Sequence, residues 1–156
     1  MTKQHQVEDQ LHHEVYLGLG SNLGDKRENI AQAIHLLNEQ VGEVLRQSEL
    51  YVSEPWGFVS AHDFVNACVC CATSLSPRQV LNVTQRIERR MGRTRKSHDG
   101  VYHDRIIDID ILLYDDLQIN EPGLIIPHPL MHQRDFVMIP LRSIISEVRG
   151  ESQVKR

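Results

Sequence analysis

The chain has 156 residues, 40% of them hydrophobic and 24% charged, with a net charge of −4. That length fits one domain with a sizeable core rather than two, and the acidic balance excludes a general nucleic-acid binder, whose footprint is basic. No apolar run approaches the ~18 residues of a membrane span, and residues 1–14 lack the apolar core of a signal peptide, so a cytoplasmic protein is expected.

Residues 1–14 are polar and aperiodic despite His5, His12 and His13, and read as a flexible tail. Val15 to Gly20 reads as a first strand entering the turn Ser21-Asn22-Leu23-Gly24. Glycines at 18, 20 and 24 do not match the dinucleotide fingerprint, and no Gly-Lys-Ser/Thr follows to make a Walker-type phosphate loop. Asp25 with Glu28 starts a helix. Ile30, Ile34, Leu37 and Val41 give it one apolar face, and Gly42 stops it.

A second strand is expected over Val44 to Val52, then a loop, Ser53-Glu54-Pro55-Trp56-Gly57-Phe58, punctuated by Pro and Gly. Its aromatic residues suit a flat ligand, and Trp56 suits a lid over the core equally well. The third strand, Phe64 to Thr73, carries Phe64, Asn66, Cys68 and Cys70 on one face. All three cysteines lie in this run, an odd number too closely spaced for a disulfide framework, so they read as buried strand residues. A soft-metal or redox site is the alternative.

Ser76-Pro77-Arg78-Gln79 is a helix start with cap, first-turn proline and capping-box partner. Val80, Val83, Ile87 and Met91 form the stripe, and Gly92 ends it. Arg86, Arg89, Arg90, Arg93, Arg95, Lys96 and Arg105 then place 7 of the 17 basic residues within 20 positions. In an acidic chain that is a local anion site. The loop between Arg93 and Arg105 offers little apolar surface and is expected to close over a phosphate ligand.

Asp104 to Tyr114 reads as a buried strand, with Ile107, Ile109, Ile111 and Leu113 on one face and Asp108 with Asp110 on the other. Two neighbouring carboxylates flanked by Ile106 and Leu112 repel each other and lose hydration unless a cation or donors compensate them. Hard oxygen ligands select Mg²⁺ or Mn²⁺ over zinc. The alternative pairs one Asp with an Arg and leaves the other at a solvated strand end. Acids beside Arg and Lys donors are what phosphoryl transfer requires. Asn120-Glu121-Pro122-Gly123 is a turn, and Ile126-Pro127-His128-Pro129 fixes one imidazole, either as a phosphate donor or through backbone hydrogen bonds. Arg134, Phe136 and the apolar run to Ile145 suggest a last helix or loop on the sheet, before a charged tail over 150–156.

Six ordered stretches together closely resemble the 6-hydroxymethyl-7,8-dihydropterin pyrophosphokinase family of folate biosynthesis. They are residues 17–24, Asn66-Ala67, residues 84–88, residues 92–96, residues 105–111 and residues 126–129. The resemblance implies one domain over residues 15–149 with an α+β, ferredoxin-like βαββαβ core and additional C-terminal elements, its sheet mainly antiparallel and its helices on one face. It implies a monomer that transfers pyrophosphate from MgATP to the pterin hydroxymethyl group and releases AMP. Position by position, Asp108 and Asp110 hold two Mg²⁺ ions, and Arg93 and Arg105 assist catalysis. Gln85, Glu88, Arg95, Lys96, Ile111, His128 and Arg134 line the ATP site. Ser53, Glu54, Trp56, Phe64, Asn66, Tyr102 and Phe136 form the pterin pocket, with Tyr102 and Phe136 as stacking rings. A non-catalytic ligand-binding or regulatory module on the same core would need neither the paired acids nor the arginine loop. An RNA-binding sheet needs central-strand aromatics, and aromatic residues make up only 5% of this chain.

Overall fold

The computed structural model describes residues 12–55, 62–92 and 105–145. The chain order is β1 (His13–Ser21), α1 (Lys26–Gln40), β2 (Glu43–Gln47), β3 (Tyr51–Ser53), β4 (Phe64–Thr73), α2 (Pro77–Arg90) and β5 (Asp108–Tyr114). A small hairpin, β6 (Ile119–Glu121) and β7 (Leu124–Ile126), a single 3-10 turn (Met131–Gln133) and α3 (Asp135–Ile144) follow. The main sheet runs β2-β4-β1-β5, with β3 also on β4, and every pairing is antiparallel. This is the expected βαββαβ core, with the sheet antiparallel.

The helix boundaries follow from local chemistry. The Asp25 carboxylate accepts the Glu28 amide at 3.2 Å, and the Ser76–Gln79 capping box closes in both directions. A side chain at Gly42 would collide with the Ala72 carbonyl, so the α1 stop admits only glycine. Gly92 ends α2 at φ +106°, in the left-handed region.

Because side chains alternate along a strand, each face of the sheet has its own core. Val15, Leu17, Leu19, Val65, Val69, Ile109 and Ile111 pack with Ile30, Leu37, Val80 and Ile87 of α1 and α2. Each such aliphatic side chain contributes about 1.5–3 kcal/mol by leaving water. On the opposite face Tyr16, Cys68, Cys70 and Leu112 pack against Met131 and against Val137, Leu141 and Ile144 of the added C-terminal helix. Arg46 of β2 holds the end of that helix, donating from Nε to the Ile144 carbonyl at 2.7 Å. All three cysteines are buried and none forms a disulfide, with Cys71 in the first core and Cys68 and Cys70 in the second.

Two local expectations need correction. Residues 44–52 do not make one strand. The register shifts between Val44 and Arg46, and at Ser48 the side-chain hydroxyl replaces the backbone as acceptor for the Cys68 amide at 2.9 Å. β2 and β3 therefore lie in succession along the same edge of β4. The second correction concerns Leu113. Tyr16 pairs with Leu113 and Leu17 with Ile111, so a bulge skips Leu112 and reverses the alternation beyond it. Leu113 thus packs toward the second core, and Tyr114 takes the first-core face, its hydroxyl donating to the Leu75 carbonyl at 2.6 Å.

Candidate active site

The second face of the sheet is only partly covered by α3, and the remainder forms a cavity of about 370 Å³. Its floor comes from β1, β4 and β5, at Gly18, Gly20, Asn66, Cys68, Asp108, Asp110 and Leu112. The β1 glycines keep it open. A Cβ on Gly20 would stand 3.3 Å from Asn66 Oδ1 and 3.4 Å from the Phe64 ring, and one on Gly18 would fill the space beside Leu112 at 3.4 Å.

At one side of the cavity, Asn66 is buried and donates from Nδ2 to the Tyr51 carbonyl at 2.9 Å and to Ser53 Oγ at 2.8 Å. Both amide protons are thereby committed, which fixes the orientation of the side-chain carbonyl. Ser53, Glu54, Phe64 and Phe136 line the same cavity. The Arg134 guanidinium lies over the Phe136 ring at 5.7 Å.

At the other side stand the acids. Arg105 Nη1 lies 3.1 Å from Asp108 Oδ1, with the arginine side chain 8% exposed and the aspartate 26%. Asp110 is pushed up to about 8, first by burial and then by the Asp108 and Glu88 carboxylates, against the opposing pull of Arg134 and Arg105. The two arginines therefore do not offset the burial of Asp110. His128 lines the cavity too, its backbone amide bonded to the Leu112 carbonyl at 3.1 Å and its Nδ1 accepting the Leu130 amide at 3.2 Å. Backbone bonds thus hold the ring, and with Nδ1 accepting, the neutral tautomer keeps its proton on Nε2. Burial, and secondarily Arg134, lower the pKa of this imidazole.

Of the residues singled out in the sequence, Ser53, Glu54, Phe64, Asn66, Arg105, Asp108, Asp110, His128, Arg134 and Phe136 meet in this one cavity. Three others stand elsewhere. Ile111 is buried in the core under the helices, and Gln85 is half-buried on α2 away from the cavity lining. Glu88 is buried on α2, where Oε2 accepts the Ile109 amide at 2.7 Å. Trp56, Arg93, Arg95, Lys96 and Tyr102 lie outside the described residues, as does the loop expected to close over phosphate. Cys68, Leu112 and the two β1 glycines went unassigned in the sequence, although period-two alternation from Asn66 and Asp110 points to the first two. Among the described residues there is no group of three or more His, Cys, Asp or Glu that could by itself hold a metal ion, and no helix long and apolar enough to cross a membrane.

Paired carboxylates, buried arginines and a slot bordered by aromatic rings, gathered on one face of an antiparallel α+β sheet, define an enzyme that handles phosphate groups. The model of the 7,8-dihydro-6-hydroxymethylpterin-pyrophosphokinase (HPPK) family matches residues 16–146. The 2-amino-4-hydroxy-6-hydroxymethyldihydropteridine pyrophosphokinase of Porphyromonas gingivalis is 51% identical over 139 residues, 88% of this chain and 95% of the relative. Its counterpart in Bacillus subtilis is 39% identical over 138 residues, 88% of this chain and 81% of the relative. A crystal structure of Plasmodium falciparum HPPK-DHPS superposes with a TM-score of 0.69 at 19% identity, covering 87% of this chain. That likeness concerns the fold alone, and this chain spans 42% of the length of that one. The chain belongs to the HPPK family, the pyrophosphokinases of folate biosynthesis.

Proposed function

We infer that this chain transfers pyrophosphate from MgATP to the hydroxymethyl group of 6-hydroxymethyl-7,8-dihydropterin, acting as a cytoplasmic monomer on two small molecules. The observation that carries this reading is the pair Asp108 and Asp110 on the floor of a cavity shared with Arg105 and Arg134. In the reaction the pterin hydroxyl oxygen bonds to the β-phosphorus of ATP. The bond from that phosphorus to the α,β-bridging oxygen breaks, AMP departs, and the hydroxyl proton is released to solvent.

The donor set fits magnesium. Both ligands are hard carboxylates, and burial, followed by the Asp108 and Glu88 carboxylates, makes the ionised form of Asp110 costly unless a cation compensates it. Two carboxylates would leave room for phosphate oxygens and water, the usual ligands of magnesium with a nucleotide. Asp108 and Asp110 would hold such ions together with the nucleotide, and the ions would supply charge neutralisation on the transferring group.

The chain's own residues do the rest. Arg105 and Arg134 bring fixed positive charge to the phosphate side, where the site is dry enough for it to count. His128, with Nδ1 engaged by the Leu130 amide, offers Nε2–H as a further donor. Asn66 presents its oriented carbonyl to an N–H on the edge of a flat ring, and Phe64 and Phe136 supply apolar ring surface beside it. Asp108, tethered by Arg105, orients the attacking hydroxyl. Arg93, Arg95 and Lys96 add phosphate contacts, and Trp56 and Tyr102 complete the pterin side. Asp108→Ala and Asp110→Ala should each reduce Mg²⁺-dependent AMP formation by at least 10³-fold while circular dichroism stays native. Most of the activity surviving in either variant would overturn the metal assignment.

A further inference from the structure

The β1–α1 turn, residues 21–26, does more than connect two elements. Asn22 is fully buried, and its backbone N–H donates to the Arg105 carbonyl at 3.0 Å while its Oδ1 accepts the Arg105 N–H at 2.7 Å. The two bonds close a ring around the Arg105 backbone. From the same side chain, Nδ2 donates to the His62 carbonyl at 3.2 Å, and the neighbouring Asp63 carbonyl accepts from Lys26 Nζ at 2.9 Å. The turn is itself braced, since Asn29 Nδ2 donates to the Leu23 carbonyl at 2.9 Å and to Ser21 Oγ at 3.2 Å. One amide therefore ties together the segment entering β4, which carries Phe64 and Asn66, and the segment entering β5, which carries Arg105, Asp108 and Asp110.

We propose that Asn22 is a positioning residue for the transfer step: it sets the backbone of Arg105 and so places the guanidinium against Asp108 and the transferring group, without itself touching either substrate. The physical ground is geometric. A side chain swings from its Cα, and the Arg105 Cα is held on its amide side by Asn22 Oδ1 and on its carbonyl side by the Asn22 N–H. Removing Oδ1 releases one of these and leaves the Arg105 N–H without that acceptor. A displacement near 1 Å of a catalytic group can cost about 10²-fold in rate.

This proposal rests on the pyrophosphokinase reading, and a double-mutant cycle with AMP formation as readout separates the two. Asn22→Ala is expected to lower kcat roughly 10- to 100-fold, with KM for ATP changing less than about threefold. In an Arg105→Ala background the same substitution should lower kcat less than about twofold, because the group it positions is gone. A purely structural lesion would act alike in both backgrounds. Asn22→Ser, a smaller lesion that keeps a short hydroxyl, serves in the same cycle should the alanine variant not fold, and is expected to fall between wild type and alanine. Full additivity with Arg105→Ala, or a wild-type kcat in Asn22→Ala, would overturn the proposal. A wild-type protein that makes no AMP would instead overturn the reaction.

Discussion

Asp110→Asn should stabilise the protein in the absence of metal while destroying its activity, and the size of the gain should depend on pH. The carboxyl is raised from the ordinary aspartate value of 3.8 to about 8, mainly by burial. Below pH ~4 it is protonated in the folded and unfolded states alike, and the fold carries no penalty. Between pH ~4 and ~8 the unfolded chain releases the proton that the folded site retains, so stability falls as pH rises. Above pH ~8 the buried charge is present at full cost. At about 1.4 kcal/mol per unit, a shift of some four units sets a ceiling of roughly 5–6 kcal/mol.

Part of that penalty belongs jointly to Asp108 and Glu88, so the isosteric amide should recover on the order of 2–4 kcal/mol at pH 8.5. For a domain of this size that corresponds to roughly 5–15 °C in Tm. Thermal unfolding in chelator at pH 4.5 and pH 8.5 measures it directly, with at most about 1 kcal/mol expected at the lower pH. A variant no more stable than wild type at pH 8.5, or one whose advantage is the same at both pH values, would refute the account of the site as an under-compensated acid pair.

Three further outcomes follow from the same geometry. Arg105→Ala should lower kcat by about 10² to 10⁴ with a much smaller loss of ATP affinity; steady-state kinetics with ATP varied at saturating pterin separate the two. Asn66→Ala should raise the pterin Kd by roughly 10-fold or more, since it removes both the oriented carbonyl and the ties to Tyr51 and Ser53; equilibrium titration with the pterin checks this without turnover. Glu88→Ala should destabilise the fold by about 1–3 kcal/mol in urea, because the buried Ile109 amide loses its acceptor.

The parts of this molecule that obey a period or a cap were legible in the sequence. Phe64–Thr73 is one strand, Ser76 and Gln79 begin α2, Gly92 ends it, and Asp108 and Asp110 share a face because a spacing of two positions is one full pleat. What could not be read depends on pairing between distant segments. The bulge that turns over Leu113 and Tyr114 arises from the register of β1 against β5, and the break at Ser48 from a hydroxyl meeting Cys68 across the sheet. Neither leaves a mark in local composition. The same holds for Asn22, whose partners at 62 and 105 lie 40 and 83 positions away. Glu88 shows the converse. Its place in the helix was readable, but its task as acceptor for a β5 amide is set by how α2 lies on the sheet.

The central claim is pyrophosphate transfer in one step, and the phosphorus content of the products tests it most directly. The protein should be incubated with ATP, Mg²⁺ and 6-hydroxymethyl-7,8-dihydropterin, the nucleotides resolved by chromatography and the pterin product examined by phosphorus NMR. Stoichiometric AMP, with two coupled phosphorus resonances on the pterin, is the predicted result; ADP with a single phosphorus on the pterin would contradict it.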